Sequence, residues 1–236
     1  MTKRLNELRK KIKMLSSPEV SKIMKWFFKT GKGEYGEGDV FAGLNVPTQR
    51  KLAQEFRDLS FIDLKVLLNS PVHEERLISL FILIDKFAKG TEKEKQFIFR
   101  FYLKNRNGIN NWDLVDLSAP KIMGKYLLEK DKTILFKFAV SKNLWERRIA
   151  ILTTQEFIRN DNYDITLRIT EILLNDNHDL IHKAVGWMLR EIGKRDLITE
   201  EIFLKIHYKK MPRTMLRYAI EKFPETKRKK YLQGKI

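Results

Sequence analysis

Cysteine is absent from all 236 residues, which excludes a disulfide framework and a thiolate metal site and makes the cytoplasm the expected compartment. No apolar run approaches the length of a bilayer span, the longest clean one being Leu80 to Ile84, so no membrane partner is expected. The N-terminus, MTKRLNELRKKIKML, lacks the continuous apolar core of a secretory signal and instead alternates charge and apolar residues at helical spacing, as a first surface helix would. Histidine is scarce, with four in all. Only His178 and His182 stand four apart, and no third ligand of suitable spacing accompanies them, so capping or solvated roles are expected and neither a metal nor a cofactor is. Acidic residues are also short: 30 Asp plus Glu face 47 Lys plus Arg, for a formal net charge of +17 and a pI near 9.9. That imbalance favours a polyanionic partner, nucleic acid being the commonest, over a chain that is merely basic. The excess peaks from Lys209 onward, where ten Lys or Arg stand against Glu221 and Glu225.

Strand-like alternation is scarce. Apolar residues recur at i, i+3, i+4 and i+7, as in LISLFILIDKFAKG, LFKFAVSKNLWERRIAIL and IHKAVGWMLREIG, and short connections such as Ser70-Pro71, Ala119-Pro120, Pro212 and Pro224 punctuate them. The pattern predicts an all-α protein of roughly twelve to fourteen helices. Five segments align with one another: Glu75 to Leu83, Asn111 to Ala119, Glu146 to Thr154, His182 to Arg190 and Pro212 to Ile220. Their starts lie about 35 residues apart, with the last interval shorter, as in stacked helical-hairpin repeats. The aligned positions Arg76, Trp112, Arg147, Lys183 and Arg213 are then expected in one column near the starts of the inner helices. A single domain over residues 1–236 accommodates this repeat.

One stretch departs from helical periodicity. KTGKGEYGEGDVFAG, Lys29 to Gly43, carries five glycines and predicts a short β-hairpin or an ordered loop near residues 31–43. It lacks the GK[ST] ending of a nucleotide-binding loop. Lys32 and Tyr35 within it are candidates for a nucleic-acid groove, with a plain connection between helices as the alternative.

The segment NNWDLVDLSAP, Asn110 to Pro120, sets two carboxylates in this basic chain. If Asn110 caps a helix, Asp113 falls at its third residue and is explained as a helix-start acid. Asp116 shares a face with Trp112, four residues away, and needs an explanation of its own, either a salt bridge or chemistry.

NNWDLVDLSAP, LWERRIAIL and AVGWMLREIGKRD together resemble the matching segments of the DNA alkylation repair family of DNA glycosylases, and the similarity runs over nearly the whole chain. The resemblance implies a HEAT-like helical-repeat solenoid, C-shaped, with duplex DNA in a basic concave groove. It implies a catalytic set of Asp116, Trp112, Trp187 and Arg148, with Arg147 the weaker choice of arginine. Candidates for phosphate contact are Arg148, Arg147, Lys183, Arg190, Lys194, Arg213 and Arg217. The implied reaction is hydrolysis of the N-glycosidic bond of N3- or N7-alkylated purines by a monomer without cofactor. Such a base already carries positive charge and leaves as a neutral molecule, so one carboxylate can stabilise the oxocarbenium-like sugar and position water. Tryptophan faces attract the cationic lesion by roughly 0.5–2 kcal/mol each.

The glycine-rich stretch departs from the glycosylase pattern and resembles a branch of the family with an insertion, some members of which bind branched or distorted DNA with little or no excision. Three functions therefore stand: a glycosylase, a non-catalytic binder of branched DNA, and a helical-repeat scaffold for an acidic protein.

Overall fold

The structure is a computed structural model that describes residues 2–236. Among the described residues it is built of α-helices and single helical turns, with no strand. The helices are α1 (Lys3–Leu15), α2 (Pro18–Phe27), α3 (Val46–Glu55), α4 (Phe61–Leu68), α5 (His73–Lys89), α6 (Glu92–Lys104), α7 (Trp112–Ala119), α8 (Lys125–Leu127), α9 (Thr133–Ala139), α10 (Leu144–Thr153), α11 (Gln155–Arg159), α12 (Asp164–Leu173), α13 (Asp179–Gly193), α14 (Leu197–His207), α15 (Arg213–Ala219) and α16 (Glu225–Leu232). Of these, α8 and α11 have only three and five residues, which leaves a count in keeping with the helical periodicity. Residue contacts divide the chain into two compact units, the first ending at Ser118 and the second beginning at Ala119.

In the first unit, α1 starts where the Thr2 side chain accepts the Leu5 N–H, and it buries Leu5, Leu8 and Ile12. Ser17 caps α2 and Pro18 opens it, yet no residue of α2 is buried. Helices α3, α4 and α6 each pack on α5. Tyr102 of α6 is fully buried and shares a 2.9 Å hydrogen bond with Ser118, which ties α7 to α6. Burial pushes the Tyr102 hydroxyl pKa upward, so it remains a neutral bonding partner.

In the second unit the chain passes through a π-helical turn, Pro120–Gly124, where proline supplies no N–H for a regular α bond. Helix α9 packs on α10, α10 on α13, and α13 also receives α12, α14 and α15. Gly186 makes the α13–α15 approach possible, because a Cβ there would lie 2.4 Å from the Met215 carbonyl oxygen. The five aligned segments thus fall on α5, α7, α10, α13 and α15.

The glycine-rich stretch adopts the loop and not the hairpin. Its amide bonds Glu34→Gly31, Glu37→Glu34 and Asp39→Gly36 all close over three residues, giving successive turns rather than cross-strand pairs. Gly33 and Gly38, with φ of +78° and +88°, supply the left-handed positions that such turns need.

Candidate functional site

Helix α7 begins one residue later than expected. Asn111, not Asn110, is its cap: its side-chain oxygen accepts the Trp112 N–H at 2.8 Å and its carbonyl accepts the Val115 N–H. Asp113 is therefore the second helical residue. It is 7% exposed and does more than complement the helix dipole, so the helix-start explanation is incomplete. One oxygen accepts the Leu114 N–H at 2.9 Å, and the other lies 2.8 Å from Nε2 of His73.

His73 opens α5 and is 2% exposed. Its Nδ1 meets Asp39 of the glycine-rich loop at 3.1 Å. Asp39 also accepts from Arg76 at 2.6 Å and from the Asn111 amide at 3.0 Å. Burial alone would lower the His73 pKa, but the charge and hydrogen bond of Asp113, followed by the hydrogen bond to Asp39, lift it to about 9. His73 is then an imidazolium that donates from both nitrogens. Burial also opposes ionisation of Asp39, and the bonds from His73, Arg76 and Asn111 outweigh it, holding this carboxyl below its ordinary pKa. Two buried cations thus balance two buried carboxylates, the condition under which ion pairs are tolerated in a core.

Rings cover this polar cluster. Phe28 stacks on Trp112 with centroids 5.1 Å apart and planes at 14°, and Phe41 stacks on Phe28 at 5.0 Å. Phe41 in turn lies 4.6 Å from the His73 ring, while Phe27 meets Trp112 edge-on at 5.7 Å. The loop is held at its far end as well. The Glu74 carboxylate accepts the N–H groups of Ala42, Gly43 and Leu44, and Val40 pairs with the chain at Pro71 and His73. Gly43 is required there: it has φ of +88°, and a Cβ would sit 2.2 Å from the Ser17 carbonyl oxygen.

Leu114, Val115 and Ser118 bury one side of α7. Trp112 and Asp116 lie half-buried one turn apart on the remaining side. Asp116 is also close enough to Tyr102 to raise the pKa of its hydroxyl. A half-exposed carboxylate beside an indole, on a helix fixed from three directions, can face a cationic ligand.

Residues 8–223 match the family model described as DNA alkylation repair enzyme. The chain belongs to the DNA alkylation repair enzyme family. A role in DNA repair accords with that membership. The fold is similar to that of a predicted DNA alkylation repair enzyme from Enterococcus faecalis, with 18% identity over 89% of this chain and 97% of that one and a TM-score of 0.69. It is also similar to smu.31 from Streptococcus mutans UA159, with 18% identity over 94% of this chain and 100% of that one and a TM-score of 0.54. No match is found among curated proteins.

The other site residues expected from the resemblance lie in the second unit. Trp187 is half-buried on α13 and donates its indole N–H to Glu191 at 3.0 Å, and the same carboxylate oxygen takes Lys194 at 2.6 Å. Arg148 is 5% exposed and donates to the Leu180 carbonyl, so it joins α10 to the start of α13. Arg147 pairs with Asp176 at 2.6 Å and donates to the carbonyls of Ser141 and Lys142. Arg76 treats Ser70 and Pro71 in the same way. Both arginines are the fourth residue of their helix and both bond the carbonyl six residues back. In α13 the fourth residue is His182, which contacts the Asp176 carbonyl, so the repeat register there runs through His182 and not Lys183. His178 caps α13 by accepting the Leu180 N–H, whereas His182 is engaged with the Asp176 carbonyl.

Among the phosphate candidates, Lys183 pairs with Asp179 at 2.6 Å and Arg190 pairs with Glu221. Arg213 donates to the Leu232 carbonyl. Arg217 and Lys32 are exposed, and Tyr35 is half-exposed in the loop.

The sequence pattern missed His73, Asp39, Asn111 and Phe28. Its one available signal was the run HEER, His73 to Arg76: four consecutive polar residues that face all sides of a helix and are all buried. Glu75 completes the run by taking both Arg9 nitrogens at 2.9 and 2.8 Å.

Proposed function

We propose that this protein binds duplex DNA along a basic concave groove, acting as one domain over residues 1–236, and hydrolyses the N-glycosidic bond of cationic N3- or N7-alkylated purines. The observation that carries the reading is the division of labour on α7: Asp113 is buried in an ion network, and Asp116 is left half-exposed one turn from Trp112. In this proposal Asp116 stabilises the oxocarbenium-like sugar and orients water, and Trp112 offers its ring to the cationic base. Trp187 and Arg148 join the proposed catalytic set by motif position alone. Arg217 and Lys32, both exposed, are the foremost proposed DNA contacts, followed by Tyr35, Lys183, Lys194, Arg147, Arg190 and Arg213. The proposed state is a cytoplasmic monomer without metal or cofactor. The deciding experiment is release of 7-methylguanine or 3-methyladenine from methylated DNA, abolished by Asp116→Asn; no release at high protein concentration would sink it.

A second reading, a non-catalytic binder of branched DNA, is favoured by one specific contact. Phe28 covers one face of Trp112, and the loop that follows Phe28 is the segment in which this chain departs from the glycosylase pattern. It predicts tighter binding to a four-way junction than to linear duplex, weakened by deletion of residues 32–38, which leaves the buried Asp39 in place. Equal affinity for the two DNAs would count against it.

A further inference from the structure

The second half of α5 forms the floor of a groove unrelated to the Trp112 site. A cleft of about 530 Å³ opens between α4, α5 and α6, with Phe61 and Phe97 in its wall. A second, of about 450 Å³, shares Arg57, Asp85 and Lys89 with it and continues along α5 to Arg50 and Phe81. Phe81, Ile84, Asp85, Ala88 and Lys89 contribute to this continuation at the i, i+3, i+4, i+7, i+8 spacing of one helix face. His73 and Lys89 are the two ends of this seventeen-residue helix, roughly 25 Å apart at the helical rise, so the groove and the Trp112 stack occupy opposite ends of α5.

We propose that this groove docks an acidic amphipathic segment of a partner protein, with the segment's large apolar side chains against Phe61 and Phe97 and its carboxylates on Arg57, Lys86 and Lys93. Phe97 is 51% exposed, an unusual state for an aromatic ring beside a cleft. Phe61 packs edge-on against Phe97 at 4.7 Å and Phe101 at 5.4 Å, which fixes the rings as a firm apolar wall. The charges select the partner. Asp85 is already paired with Lys89 at 2.6 Å and Glu94 is engaged in the capping box of α6. Arg57, Lys86 and Lys93 have no ion pair among the described residues, so the unbalanced charge at the rim is positive.

Other occupants fit less well. The Lys86 ammonium sits 5.8 Å above the Phe61 ring, on a face that a stacking base would need. A second copy would bring +17 against +17. An extended, partly apolar groove with a cationic rim suits the helix-in-groove mode, in which anchors one turn apart enter the apolar floor.

The test is fluorescence anisotropy of the full chain with a fluorescein-labelled synthetic peptide carrying Leu and Phe one helical turn apart among Asp and Glu, at physiological salt. Binding is expected, with loss when Leu and Phe are replaced by Ser at unchanged charge. Phe97→Ser and the doubly neutralised Arg57→Gln/Lys86→Gln variant should each weaken it at least about tenfold. The exposed-site substitution Lys93→Glu serves as a second probe that leaves the core untouched, and unchanged melting temperature and duplex-DNA affinity report intact folding. Equal binding of the Ser peptide would reduce the effect to bulk charge and overturn the proposal. So would a single-stranded oligonucleotide, or a concentration-dependent dimer, that is lost in Phe97→Ser.

Discussion

His73 and Asp113 meet across 2.8 Å, and on its other nitrogen His73 meets Asp39 at 3.1 Å, so one imidazolium fastens the start of α7 to the glycine-rich loop. Because the folded-state pKa of His73 is raised to about 9 from an ordinary 6.5, the folded chain holds a proton between those values that the unfolded chain gives up. Its stabilising contribution is complete below about pH 6.5 and is lost as pH rises through 9. Urea denaturation at pH 6, 7.5 and 9 should show that decline. His73→Gln should destabilise by about 3–5 kcal/mol near neutral pH, the usual cost of stranding a buried charge, and flatten the decline. An unchanged pH profile in the variant would remove the imidazolium from the account.

The two aspartates of α7 should separate cleanly. Asp113→Asn leaves His73 facing a neutral amide and should lower the melting temperature markedly. Asp116→Asn, on the half-exposed side, should alter stability by no more than about 1 kcal/mol. In the glycosylase reading it should cut excision by about a hundredfold or more, the scale expected when one charge-stabilising group is lost. Calorimetry and base release on the same two proteins check both halves.

Glu200 supplies a second decline of the same sign, beginning at lower pH, in the second unit. It is 1% exposed, its Oε1 has no hydrogen-bond partner, and burial followed by the neighbouring Glu201 pushes its pKa up to about 8. A carboxyl raised in the folded state binds a proton there that the unfolded chain releases, so stability falls as pH climbs from about 4.5 to 8. Glu200→Gln should abolish that fall and raise stability near pH 8 by about 1–3 kcal/mol, read from denaturation midpoints.

Gly43→Ala tests how firmly the loop is seated. The new Cβ meets the Ser17 carbonyl in a left-handed position, a clash that should cost about 2 kcal/mol or more. Near-ultraviolet circular dichroism should register the disturbed stack of Phe41, Phe28 and Trp112. Wild-type stability in this variant would mean that Ser17 and Gly43 part easily.

Much of the architecture was legible because it is local. Periodic apolar residues announced the helices, and the aligned segments landed on α5, α7, α10, α13 and α15. The expected column held at Arg76 and Arg147, each the fourth residue of its helix; in α13 that place falls to His182, and Trp112 and Arg213 stand first in α7 and α15, because the register depends on where each helix starts, which capping decides. Asp113 was undervalued for a different reason. Its partner His73 is forty residues away, and Asp39 is further still, so no spacing rule links the three. Phe28 on Trp112 is likewise a pairing across the whole first unit that only folding reveals.

The seating of the glycine-rich loop bears on how the molecule opens. Its closing residues are tied into the core by the Glu74 carboxylate, by the Ser17–Ala42 amide bond and by the Val40 pairing with Pro71 and His73. The amides of Val40 and Ala42 to Leu44 should therefore exchange with solvent only when α5 itself unfolds, in one cooperative step. Those of residues 31–38, which bond no further from the loop than the Lys29 carbonyl that takes the Gly36 N–H, should exchange by local fraying. Glycine content alone would make the entire stretch a flexible arm, whereas its anchoring divides it into a yielding tip and a base that shares the global stability of the first unit.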